Sequence, residues 1–275
     1  MTARPLTGKD LAARIRAAVG DRAAARRDEG RPARLVIVTA TDDEASAWYV
    51  RSIASAAGKA GLDCDVADLG TVATAGDIAA RLAALSADPA VDGVMLQTPL
   101  PPGIALADVS GAIDPAKDVD GANPLSLGRL AAGLPAYAPA TAAAVVALLD
   151  EYAVDLTGLR AVVVGRSAVV GKPLAHLLLD RDATVTVCHS RTRDLAAVTS
   201  TADVLVAAVG RTHLIAPEHV RPGAVVVDVG TNPTPDGGLA GDVDPAVAAV
   251  AAALTPVPGG VGPVTTALLL KNVVD

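Results

Sequence analysis

The chain has 275 residues, a formal net charge of −7 and a pI near 5.0. That length allows two compact α/β units, and that charge works against nonspecific attraction to nucleic acid or anionic lipid. Apolar residues make up 51% of the sequence, yet Gly, Pro and charge interrupt them every few residues and no run has the length of a membrane span. The start MTARPLTGKDLAARIRAAVG lacks the continuous apolar stretch of a secretory signal, so a cytoplasmic protein with neither a membrane nor a nucleic-acid partner is expected. Cys64 and Cys188 stand alone and read as small apolar fillers. His176, His189, His213 and His219 share no short spacing with Asp, Glu or Cys, so no metal site is expected. Aromatics are 1% of the chain, which makes the adjacent pair Trp48 and Tyr49 stand out, with Tyr137 and Tyr152.

Taken in order, residues 35–40 (LVIVTA) predict a strand, 43–59 a helix, 63–69 a strand, 76–86 a helix and 91–97 a strand. This βαβαβ rhythm implies parallel strands under crossover helices. QTPLPPG follows, and its prolines cannot continue a ladder, so a loop leaves the carboxyl end of that strand. Residues 98–139 carry little periodicity and read as loops around short helices. A helix at 141–152 leads into a second series with strands at 160–165, 184–188, 204–209 and 224–229, and the tail PVTTALLLKNVV is helical again.

The strand AVVVG opens into GRSAVVGKP, where Gly165 and Gly171 bracket a turn before a helix. Backbone N–H groups at such a helix start can face a pyrophosphate, although the same turn occurs in α/β proteins that bind no nucleotide. The next strand ends in HSRTR, where an NAD-specific fold would carry an acid for the ribose hydroxyls. Ser190, Arg191 and Arg193, with Arg166 in the first turn, instead suit the 2′-phosphate of NADP. Tyr49 and Ile53 share one helix face, Gln97 closes a strand, and Lys117, Asp118 and Asp120 lie in PAKDVDG. Read alone, these are a core stripe and surface charges. The segment TPVPGGVGPVTT (255–266) specifies a rigid backbone that a generic loop does not need.

With ASAWYV, VMLQTPLP, PAKDVDG, VVVGRSAVVGKP, VCHSRT, DVGTN, GDVD and TPVPGGVGPVTT in that order, the chain resembles the methylenetetrahydrofolate dehydrogenase/cyclohydrolase family over essentially its whole length. The resemblance implies a two-lobed α/β fold: a catalytic, folate-binding lobe at 1–139 completed by the helix 263–275, a Rossmann-type NADP-binding lobe at 140–262, and a folate cleft between them. It also implies NADP as cofactor, a tetrahydrofolate one-carbon derivative as substrate, and a homodimer. Tyr49 would stack on the aminobenzoyl ring, Asp120 would hydrogen-bond the pterin, Gln97 would lie beside the reacting carbon, and Gly262 and Pro263 would shape the pocket. Gly165, Arg166, Ser167, Ser190, Arg191, Thr231 and Thr265 would meet the dinucleotide.

The family helix carries Y-V-x-x-K, and its lysine is associated with the cyclohydrolase step; here the string is YVRSI, so that position is Ile53. Hydride transfer from the methylene bridge is assisted by the adjacent nitrogen lone pair and mainly requires positioning. Hydrolysis of the methenyl cation moves protons, and isoleucine can neither donate nor accept one. Lys59 does not share the Tyr49 face. DGANPLSLGRL and PATAA also place Ala122 and Ala140 where the family has larger residues. The expectation is a dehydrogenase with weak or lost cyclohydrolase activity. A paralogue acting on a non-folate imine or aminal, and a noncatalytic folate- or nucleotide-binding relic, are the alternatives.

Overall fold

The computed structural model describes residues 2–275. In chain order the elements are β1 (Arg4–Pro5), α1 (Lys9–Asp28), β2 (Arg34–Thr39), α2 (Glu44–Lys59), β3 (Asp63–Asp68), α3 (Ala75–Ala87), β4 (Gly93–Leu96), α4 (Leu106–Val109), α5 (Pro124–Ala131) and α6 (Ala140–Glu151). They continue with β5 (Arg160–Val164), α7 (Gly171–Leu179), β6 (Thr184–Cys188), α8 (Leu195–Thr199), β7 (Val204–Ala207), β8 (Val225–Asp228), β9 (Asn232–Pro233), β10 (Leu239–Ala240), β11 (Ala253–Leu254) and α9 (Val261–Val274). Helix starts follow local chemistry. The Asp43 carboxylate accepts the Ser46 N–H at 2.8 Å ahead of α2, and Thr74 and Asp77 form a reciprocal capping box ahead of α3. Among the described residues no helix is long and apolar enough to cross a membrane.

The chain divides into two compact units. One contains residues 13–140 and 266–275 and is built on a parallel sheet of order β3-β2-β4. Central β2 explains why residues 35–38 (LVIV) are continuously apolar, since both faces of the sheet are covered. Leu35 and Ile37 pack into a cluster with α1, α2 and the end of α9, while the alternate residues Val36 and Val38 pack into a cluster with α3. Residues 117–119 extend this sheet, as the Val94 N–H donates to Lys117 O at 2.7 Å and Val94 bridges Asp118 in parallel.

The other unit holds the N-terminal residues through Ala12 together with Thr141–Thr265, on a parallel six-stranded sheet of order β1-β11-β8-β7-β5-β6. This corrects the assignment of residues 1–139 to one lobe. Arg4 and Pro5 pair in register with Ala253 and Leu254, the Leu6 N–H donates to Leu254 O at 2.9 Å, and the Gly8 N–H donates to Gly259 O at 2.9 Å. The Tyr152 hydroxyl accepts the Thr7 N–H at 2.8 Å and donates to Thr7 O at 3.0 Å, and the Arg4 guanidinium lies 4.9 Å from the Tyr152 ring centre. A two-residue strand so far in sequence from its partner has no local signature. The strand predicted at 204–209 ends at Ala207, because the Val209 N–H leaves the ladder for the Asp242 carboxylate at 2.6 Å.

Candidate active site

In the unit built on β2, three of the sequence-selected residues gather around the carboxyl end of β4. Tyr49 projects from α2, Gln97 follows β4, and Asp120 ends the extension beside it. The Ser46 hydroxyl, one turn before Tyr49, donates to Thr98 O at 3.1 Å, and the Gln97 amide donates to the same oxygen at 2.5 Å. That shared carbonyl ties α2 to the strand end. Tyr49 is half-buried, and burial raises the pKa of its phenol, with the Asp120 charge adding to the rise and a hydrogen bond with Thr266 opposing it.

Asp120 is only half-buried by surface area, yet the protein packed around its carboxyl pushes its pKa up to about 7. Desolvation is the main cause and the neighbouring charge of Asp118 adds to it, while the N–H of Ala140, first residue of α6, stabilises the carboxylate. Asp118 is fully buried and accepts the N–H groups of Ala122 (2.9 Å) and Asn123 (2.7 Å) and the Ser126 hydroxyl (3.0 Å). It organises the turn rather than facing a ligand. Gly121 follows at φ +62°, and a Cβ there would lie 2.6 Å from the Pro139 nitrogen, so the loop that carries Asp120 tolerates no side chain at that point. The Lys117 ammonium donates to Asp88 O at 2.6 Å.

Ile53, one turn beyond Tyr49, has 0% of its surface exposed and packs in the cluster with Val50, Ala57, Met95 and Leu270. The position supplies an apolar contact and no proton donor. Sequence reasoning missed Thr266, which α9 brings to Tyr49, and the Ala140 N–H at Asp120. Neither has a sequence signal beyond its motif.

In the other unit, Gly165 lies at φ +132°, and a Cβ there would sit 2.2 Å from Ala208 O. A Cβ on Gly171 would sit 2.0 Å from Gly165 O. Both positions require glycine, and the bare backbone they leave at the start of α7 is the cradle a pyrophosphate needs. Ser167 shapes this turn, its hydroxyl accepting the Val170 N–H at 3.1 Å, while Arg166 is exposed beside it. The Gly165 N–H donates to Cys188 O at 2.9 Å, fixing the glycine turn against the end of β6. There the His189 N–H donates to the Thr192 hydroxyl at 2.9 Å and the Arg191 N–H to His189 Nδ1 at 3.1 Å, a tight turn that leaves the Ser190 and Arg191 side chains exposed.

Thr231 is exposed after β8. Thr265 is buried and its hydroxyl donates to Val261 O at 3.3 Å, so that proton is used inside α9 and the side chain offers a dinucleotide only a lone pair. Gly262 and Pro263 lie in the first turn of α9, after a loop whose Gly260 would place a Cβ 2.7 Å from Pro256 O. The sequence reading gave no role to Asp228 and Asp242 in DVGTN and GDVD, both of which are buried carboxylates. Burial pushes Asp228 up to about 6, against stabilising N–H groups from Val243, Asp242 and Gly230. Among the described residues no group of three His, Cys, Asp or Glu side chains is arranged to hold a metal ion.

A family model for the tetrahydrofolate dehydrogenase/cyclohydrolase catalytic domain matches residues 6–120, and one for the NAD(P)-binding domain of the same enzymes matches residues 139–275. The chain belongs to the tetrahydrofolate dehydrogenase/cyclohydrolase family. It is 64% identical over 271 residues to the bifunctional protein FolD 1 of Saccharopolyspora erythraea, covering 98% of this chain and 92% of that one. A crystal structure of the bifunctional methylenetetrahydrofolate dehydrogenase/cyclohydrolase of Campylobacter jejuni superposes with a TM-score of 0.94 at 38% identity, covering 99% and 97% of the two chains. The Trypanosoma brucei methylenetetrahydrofolate dehydrogenase-cyclohydrolase, solved with NADP and an inhibitor, gives a TM-score of 0.92 at 36% identity over 99% and 96%.

Proposed function

We propose that this family member oxidises methylenetetrahydrofolate to methenyltetrahydrofolate with NADP, and that its hydrolysis of the methenyl product is weak or absent. The observation that carries the reading is the contrast at α2: Tyr49 lies beside Asp120, whereas Ile53 on the same face is sealed into the apolar core. Tyr49 offers a flat face for the aminobenzoyl ring, and Asp120 in its ionised form accepts the N–H donors of the pterin. Gln97 supplies a polar side chain for the one-carbon bridge.

The residues of the dinucleotide unit fit NADP. Gly165 and Gly171 leave room for the pyrophosphate, Arg166, Ser190 and Arg191 meet the 2′-phosphate, and Ser167, Thr231 and Thr265 complete the set. Bound NADP supplies the hydride acceptor. Because the folate nitrogen lone pair assists departure of the hydride, the oxidation places no demand on position 53. Water addition to the methenyl cation has no positioned lysine, and losing an acid/base of that kind typically costs about 10²–10⁴ in rate. The same reading makes the protein a cytoplasmic homodimer.

Two assays on the purified chain test this. NADPH should form from methylenetetrahydrofolate and NADP, and added methenyltetrahydrofolate should persist near its uncatalysed rate of decay. Rapid clearance of methenyltetrahydrofolate would remove the second clause. A second reading, hydride transfer to a non-folate imine or aminal, is motivated by Ala122 and Ala140, small residues where the family has larger ones; tight NADP binding without folate turnover would favour it.

A further inference from the structure

The carboxyl ends of β7 and β8 are joined by two buried aspartates whose hydrogen bonds run in series. Asp228, at the end of β8, accepts the N–H groups of Gly230 (2.9 Å) and Asp242 (2.9 Å) on Oδ1 and of Val243 (3.0 Å) on Oδ2. Asp242, with 0% of its surface exposed, accepts Val209 (2.6 Å) and Gly210 (3.0 Å) N–H on Oδ2, and Arg211 N–H (2.8 Å) and the Asn232 amide (3.0 Å) on Oδ1. Three consecutive N–H groups converging on one carboxylate fold residues 209–211 around it.

The glycines flanking these acids follow from the same arrangement. A Cβ on Gly230 would lie 2.4 Å from the Asp242 carboxyl carbon, and one on Gly241 would lie 1.8 Å from Asp228 Oδ2. DVG and GD are therefore glycine-acid pairs because the carboxylates occupy the space beside the glycine backbones.

Two features connect this arrangement to the dinucleotide edge. Ala208 O, immediately before the folded turn, is the atom against which Gly165 must lack a side chain. Thr231 lies between Gly230, held by its N–H on Asp228, and Asn232, held by its amide on Asp242. We propose that Asp228 and Asp242 are positioning residues for the dinucleotide, fixing the 208–211 turn against the glycine cradle and setting the place of Thr231. The proposal rests on the reading of this edge as the NADP site. Neither carboxylate touches the ligand; each acts through backbone it holds.

The test is NADPH binding to the full chain, followed by fluorescence, beside thermal unfolding. Asp242→Asn removes the charge and turns an amide N–H₂ toward donors that need an acceptor, so the dissociation constant should rise at least tenfold. Val247→Ala, a core truncation in the same unit, serves as a control that lowers the melting temperature while leaving binding within about twofold. Asn232→Ala leaves every backbone bond to the carboxylates in place and should weaken binding about threefold or more, which decides the matter if Asp242→Asn fails to fold. Unchanged binding in both site variants, or equal weakening in Val247→Ala, would overturn the proposal while leaving the NADP site intact. A wild type that binds no NADPH would remove the site reading and this inference together.

Discussion

Ile53→Lys is the most informative single change, because it introduces one titratable group at a position of known burial. The wild-type side chain is fully buried among Val50, Ala57, Met95 and Leu270, so removing it forfeits about 1.5–3 kcal/mol of apolar burial. A lysine stem recovers most of that contact if its ammonium reaches a polar exit. Tyr49, one turn away on the same face, and the Asp120 carboxyl that perturbs it are the polar groups the ammonium would have to reach. An unpaired buried ammonium costs several kcal/mol, and pairing with Asp120 offsets part of this, leaving a net loss of about 2–4 kcal/mol. For a protein of this size that is a fall in Tm on the order of 10 °C. The pairing should also draw Asp120 down from about 7 toward the ordinary carboxylate range. In an assay following loss of methenyltetrahydrofolate, the variant should gain about 10²–10⁴ over wild type, with dehydrogenase turnover within a few-fold. Fast hydrolysis by wild type, or a folded variant with no gain, would refute the reasoning that ties the missing chemistry to this side chain.

Other expectations follow from the same geometry. Gly171→Ala places a Cβ 2.0 Å from Gly165 O, backbone that cannot swing away, so NADPH affinity should fall by about a hundredfold or more; titration with unchanged affinity would show the cradle is elsewhere. Arg191→Ala should weaken NADP by about 10–100-fold and leave NAD binding unchanged, as read from paired titrations. In wild type, kcat/KM for the folate should drop as pH falls through about 7, where Asp120 takes up a proton and can no longer accept both pterin donors, and Asp120→Asn should flatten that profile. The stability sign is opposite. Because the folded pKa of Asp120 is raised, the folded chain holds its proton more tightly than the unfolded one, and the resulting stability is lost as pH rises from about 4 through about 7. Asp120→Asn should therefore be more resistant to denaturant than wild type at pH 8, and a less resistant variant would show that the carboxylate is not the strained group.

Much of the site was legible because its signals are local. Tyr49 and Ile53 share a face by helix geometry, LVIVTA reads as a strand in a βαβαβ series, and Gly165 and Gly171 bracket a turn that opens onto a helix. The role of Thr265 was not legible. Its motif placed it near a ligand, while its burial and its bond to Val261 O depend on how α9 packs.

By itself, then, the sequence determined the two series of parallel strands, the glycine cradle and the absence of a titratable group at Ile53, since each of these is a property of neighbouring residues. Tertiary structure alone decided that Arg4–Pro5 joins the sheet of the dinucleotide unit, that Thr266 reaches Tyr49, and that Asp228 and Asp242 interlock. Those outcomes are pairings between segments far apart in the chain, and a hydrogen bond between distant segments leaves no periodicity for sequence to display.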